Sequence, residues 1–166
     1  FEKYESWEGV AIEASPKQFQ KLERNRKCEK INAVIGPEEK EVEFCEITEG
    51  FMQMSGIYNS SYKDSMDRIQ KKSNSKINII KTKSTPFKKI ISSNKIIDFI
   101  SIDIEGNELD VINSIDFNKY EIKVILLENN IPRKLNYTDF FKERNFSYFD
   151  RVGMDEIYFN KKYFNF

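Results

Sequence analysis

Acidic residues stand where three short apolar runs give out. Glu13 follows Val10-Ala11-Ile12, Asp103 and Glu105 follow the run Ile96–Ile102, and Glu128 with Asn129 follows Lys123–Leu127. Open α/β sheets bind ligands at the carboxyl ends of their strands, beside the point where strand order reverses. An acid ending the second strand of a nucleotide-binding half accepts hydrogen bonds from ribose hydroxyls, and Glu13 has that position. The plainer alternative is an exposed acid near a helix N-terminus, where it favours the helix dipole. Asp103, Glu105 and Glu128 have the residue types for proton transfer or for oxygen ligation of a hard cation.

Other chemistries are closed. The chain contains no histidine, which removes Ser-His-Asp and Cys-His catalysis and His-ligated zinc. Its two cysteines, Cys28 and Cys45, lack metal-ligand spacing and are expected to be reduced and packed or half-buried. None of its six glycines forms a G-x-G-x-x-G turn, so a nicotinamide-dependent oxidoreductase is not supported.

The elements that must carry these acids alternate in the manner of a βαβ architecture. Val10–Glu13 reads as a strand, and Ser15-Pro16 opens a helix with an S-x-x-Q capping box ending at Gln18. Phe19 and Leu22 mark its buried stripe. Ile31–Ile35 and Glu41–Ile47 read as further strands. Residues 55–76, rich in Ser, Asn and Lys, read as a long surface loop in which Tyr58 and Tyr62 are placed to contact a flat or sugar-like acceptor.

Order returns with Ile77–Lys81, after which Thr85 is expected to cap a helix begun by Pro86. The β-branched run Ile96–Ile102 predicts a central strand buried on both faces. A helix over Asn107–Ser114 is expected to bury Leu109 and Ile112, and Lys123–Leu127 is a second buried strand. A short helix from Thr138 to Arg144 precedes an antiparallel pair, Phe146–Phe149 and Glu156–Asn160, around Gly153. Residues 1–166 are expected to form one domain.

Composition bounds the partners. Lys plus Arg equals Asp plus Glu at 27 each, so zero net charge gives no reason to expect nucleic acid or an anionic membrane as partner. No apolar run approaches the ~20 residues of a membrane span and no signal peptide opens the chain, as expected of a cytoplasmic protein.

The segment Trp7-Glu8-Gly9-Val10-Ala11-Ile12-Glu13-Ala14-Ser15-Pro16, with Phe19, Leu22, Asn25-Arg26 and Cys28, resembles the block after the glycine motif in FkbM-type methyltransferases. The run Ile97–Leu109 with its Asp103-Ile104-Glu105-Gly106 core, the strand Ile122–Asn129 and the tail Gly153–Tyr158 are similar to later blocks of that family, in the same order. The resemblance covers roughly residues 5 to 160 and is weakest in the polar excursion. It implies a class I, Rossmann-like, doubly wound and mostly parallel sheet with a C-terminal antiparallel hairpin. It also implies S-adenosylmethionine as methyl donor and transfer to a hydroxyl of a small molecule, sugar or glycan.

By the same resemblance, Glu13 with Ala14 would hold the cofactor ribose and the turn around Gly36 would lie near the adenine. Asp103 and Glu105 would face the methionine end or the acceptor. One departure is large: family members carry a strand ending in a D-x-G-A-x-x-G-like turn before the block at Trp7, and this first strand is missing here. Either the sequence is a fragment of a longer protein or the remaining strands close up. A domain that kept the fold and lost cofactor binding is the alternative function.

Two routes to an activated acceptor stay open. Asp103, Glu128 and Asn129 form an oxygen-ligand set that could hold Mg2+ against the acceptor oxygen, as in catechol-type methyltransferases. Without a metal, Asp103, Glu105 or Glu128 would act as general base, its pKa raised by partial burial.

Overall fold

The computed structural model describes residues 2–59, 62, 75–91, 96–130, 132 and 136–164. The chain is a mixed α/β protein that divides into two compact units, Phe1–Pro86 and Phe87–Phe166.

In the first unit, α1 (Glu2–Glu5) precedes β1 (Val10–Glu13), α2 (Pro16–Asn25) and β2 (Glu29–Asn32). β1 and β2 run parallel with Val10 opposite Glu29 and Glu13 opposite Asn32, giving the expected βαβ unit. The N-terminus of α2 explains why the chain turns where it does. Pro16 has no N–H to satisfy, and the Ser15 hydroxyl accepts from the Gln18 amide at 3.2 Å, as its pattern predicts. The other half of the expected capping box is supplied differently. The Ser15 amide donates to Glu13 Oε1 at 2.8 Å, and the Lys17 amide donates to Glu46 Oε1 at 2.9 Å. The Ser15 hydroxyl, fully buried, donates to that same Glu46 oxygen at 2.7 Å.

The run expected as one strand over Ile31–Ile35 is divided between two sheets. β2 stays with β1, whereas β3 (Val34–Ile35) pairs parallel with β6 (Lys76–Thr85), Val34 facing Ser84. Ala33 marks the change of partner, its amide donating to Glu13 O at 3.3 Å. β4 (Glu41–Glu49) pairs antiparallel with both β6 and β5 (Gly56–Ile57), so the strand order is β3-β6-β4-β5. Thr85, expected as a helix cap, instead ends β6 opposite Ile35.

Cys45 and Ile47 of β4 pack with Tyr62, whose hydroxyl donates to Met54 O. Tyr62 is therefore a core residue, and Tyr58 packs partly buried against the same cluster. Most of the excursion over residues 55–76 lies outside the described residues.

The second unit begins with α3 (Phe87–Ile90), β7 (Ile96–Ile102), α4 (Glu108–Ser114) and β8 (Glu121–Glu128). α5 (Tyr137–Lys142), β9 (Phe146–Val152) and β10 (Asp155–Asn160) complete it. β7 and β8 are parallel and are joined through α4, and β10 lies antiparallel between β8 and β9. The closing hairpin around Gly153, whose φ is 66°, is as expected.

Two expectations change here. β7 pairs with β8 alone among the described residues and forms an edge of the order β7-β8-β10-β9, with Ile96 58% exposed. The strand buried at the centre is β8, through Ile122, Ile125 and Leu127. A β-branched run reports propensity, and strand order depends on pairing that the run does not encode. On α4, Val111 and Ile112 face the core while Leu109 is 40% exposed. The helix begins one residue later than expected and turns Leu109 outward. Behind β8 the core is aromatic, with Phe141 stacked at 4.3 Å on Tyr158 and edge-on to Phe146. No helix among the described residues is long and apolar enough to cross a membrane.

Candidate active site

β7 and β8 are parallel neighbours in register, Ile102 lying opposite Leu127. The residues that follow therefore emerge side by side. Asp103 leaves the end of β7, Glu128 ends β8, and the chain turns back after Asp103 through Glu105 at φ 58° and Gly106 at φ 105°. One carboxylate oxygen from each of Asp103, Glu105 and Glu128 lies within 4.8 Å of the others. Among the described residues, Glu128 Oε2 is buried without a hydrogen-bond partner.

Glu105 and Glu128 are half-buried and Asp103 is exposed, and carboxylates crowded in this way resist ionisation together. Burial, then the charges of Asp103 and Glu108, push Glu105 up to about 7. Burial, then the charges of Asp103 and Glu105, push Glu128 up to about 8. Asp103 is also raised, mainly by burial, although its hydrogen bond to Glu128 pulls the other way. The cluster thus resists full ionisation near neutral pH. Such a group can take a proton from a hydroxyl near neutral pH.

Two further carboxylates that sequence reasoning passed over support these strand ends. Glu108, buried at the start of α4, accepts at one oxygen from the Ile104 amide at 3.2 Å and the Gly106 amide at 2.9 Å. Glu156 of β10, also buried, accepts from the Asn129 side-chain amide at 3.0 Å, from Arg151 at 3.2 Å and from the Tyr158 hydroxyl at 2.6 Å. Arg151 also donates to Asn129 O at 2.8 Å, which anchors the residue after β8. Of the residues expected to hold Mg2+, Asp103 and Glu128 lie together with Glu105. Asn129 turns its amide to Glu156.

In the first unit, Glu13 ends β1 with its carboxylate held by the Ser15 amide. Burial raises its pKa, against the backbone hydrogen bonds from Ser15 and Ala14. Beside it, Ala14, Pro16, Asn32, Ala33, Phe44 and Thr82 line a small cleft of about 60 Å³. Asn32 fastens the end of β1 by donating to Glu13 O at 2.7 Å and Ala14 O at 3.1 Å. Gly36 lies beyond the cleft, buried against β6. A Cβ there would stand 2.8 Å from Ser84 Cβ, so the close approach of the two strands requires glycine.

Parallel strands with acids at their carboxyl ends put this candidate site where α/β sheets generally bind ligands. The chain belongs to the methyltransferase FkbM domain family, whose pattern matches residues 1–148. No curated protein and no solved structure shows significant similarity to it.

Proposed function

We propose that this methyltransferase uses S-adenosylmethionine and methylates a hydroxyl oxygen of a small molecule, sugar or glycan. The observation that carries the proposal is the cluster of Asp103, Glu105 and Glu128 at the ends of two adjacent parallel strands, with Glu105 and Glu128 poised to change protonation near neutrality. The methyl donor supplies an electrophilic methyl group on a positively charged sulfur.

The chain's own residues have four tasks in this account. Glu13, already oriented by the Ser15 amide, accepts hydrogen bonds from ribose hydroxyls through its remaining lone pairs. Ala14 and the small cleft beside it, lined by Asn32 and Thr82 as well as Phe44, take an edge of the adenine, with Gly36 fixing the backbone beyond. The negative charge at Asp103 and Glu105 attracts the cationic methionine end and orients the acceptor. Glu128 receives the hydroxyl proton as the acceptor oxygen forms its bond to the methyl carbon. S-adenosylmethionine, when bound, would supply the methyl group for that bond and keep the former carbon–sulfur pair on its sulfur.

The metal-free route is the simpler one, since Glu105 and Glu128 already change protonation near neutrality. The engagement of Glu13 by Ser15 favours the competing reading, an α/β domain in which that acid is only a helix cap.

The test is a transfer assay with labelled S-adenosylmethionine and a panel of sugar and small-molecule alcohols. Label should appear on a hydroxyl acceptor, and Glu128→Gln should lower kcat by about 100-fold or more. No transfer to any acceptor, from a protein that binds the donor, would count against O-methylation.

A further inference from the structure

Glu105 has a backbone conformation that L-residues with long side chains rarely adopt, and something must hold it there. Among the described residues, Glu108 is the side chain that bonds the amides flanking Glu105. A single buried oxygen, Glu108 Oε1, accepts from the amide before Glu105 and from the amide after it. The two bonds close a ring around Glu105 and leave its side chain directed to the carboxylates of Asp103 and Glu128.

We infer that Glu108 is a positioning residue for the acid cluster, holding the Asp103–Gly106 turn in the one conformation that brings Glu105 to Asp103 and Glu128. It touches no reacting atom in this account and acts through the backbone of the turn. This role in catalysis rests on the methyltransferase proposal, although the effect on the turn does not. Gly106 fits the same device. Its φ of 105° suits glycine, and no atom lies within 4 Å of where a Cβ would stand, so glycine is required there by conformation and not by crowding.

An ordinary explanation of Glu108 exists. An acid in the first turn of α4 favours the helix dipole whatever it touches. The two explanations order conservative variants oppositely. Glu108→Asp keeps the charge at the helix start but is one methylene too short to reach both amides. Glu108→Gln loses the charge but keeps an acceptor oxygen at the same reach.

The experiment measures two properties of the wild type and both variants. The first is the one-bond Cα–Hα coupling of Glu105, which separates positive from negative φ. The second is affinity for S-adenosylhomocysteine and for adenosine, which lacks the methionine end. Positioning predicts that Glu108→Gln keeps the positive-φ coupling and stays within about threefold in both affinities. It predicts that Glu108→Asp loses that coupling and binds S-adenosylhomocysteine about tenfold more weakly, with adenosine within about threefold. The reverse order of the variants, or a Glu108→Asp protein with the wild-type coupling, would overturn the inference. If the wild type binds neither ligand, the methyltransferase proposal fails, and the coupling still decides whether Glu108 sets the turn.

Discussion

Glu105 and Glu128 bind a proton more tightly in the folded chain than in the unfolded one, and the consequences have a definite sign. Their contribution to stability is complete below the ordinary glutamate pKa of 4.5 and is lost as pH rises through about 7 and about 8. Thermal unfolding followed from about pH 5 to about pH 9 should show falling stability, and Glu128→Gln should flatten much of that fall. Catalysis runs the opposite way. The base must be free of its proton, so kcat/KM should climb with pH through the same range and level off above about 8. Glu105→Gly should separate the two properties. It removes a buried like charge and a left-handed backbone penalty of roughly 1 kcal/mol, so stability at about pH 8 should hold or rise. Methyl transfer should fall at least about tenfold in the same variant. The acids themselves were legible in the sequence because each follows an apolar run. Glu108 and Glu156 were not, because an acid at a helix start or in a hairpin strand reads as surface until its buried partners are seen.

The α2 N-terminus shows how far local pattern reaches. Ser15, Pro16 and Gln18 marked the helix start correctly, since a capping hydroxyl and a proline at the first position act within a few residues. The carboxylate that completes the cap comes from Glu46, thirty-one residues away on β4, and no local signal points to it. Ser15→Ala should remove the cap and strip Glu46 of its hydroxyl donor. Urea unfolding should register a loss of about 1–2 kcal/mol, and a loss near zero would show that the buried contact carries no weight. The same distinction explains the strands. β1, β4, β8 and the β9–β10 hairpin were visible as alternation or apolar runs bounded by turns. The division of Ile31–Ile35 between β2 and β3, and the edge place of β7, depend on which distant strand each segment meets. Tyr62 illustrates the point in reverse, being embedded against Cys45 and Ile47 although its neighbours in sequence are polar.

The chain comprises two units that each contain a parallel pair, β1 with β2 and β7 with β8; Glu13 ends β1, Asp103 follows β7 and Glu128 ends β8. The family was legible because blocks of residues occur in the right order, and three of the four lie within the match over residues 1–148, the tail Gly153–Tyr158 lying beyond it. The expected single sheet is a statement about strand order across the chain, and composition and periodicity hold no information on it. Zero net charge remains a property of the whole surface and fits a small, uncharged acceptor better than a polyanion. The central claim is donor binding, and calorimetric titration with S-adenosylhomocysteine tests it most directly. Micromolar binding, weakened about tenfold or more by Glu13→Ala, is the predicted result. A folded protein that takes up no S-adenosylhomocysteine, or one whose binding ignores Glu13→Ala, would contradict the account.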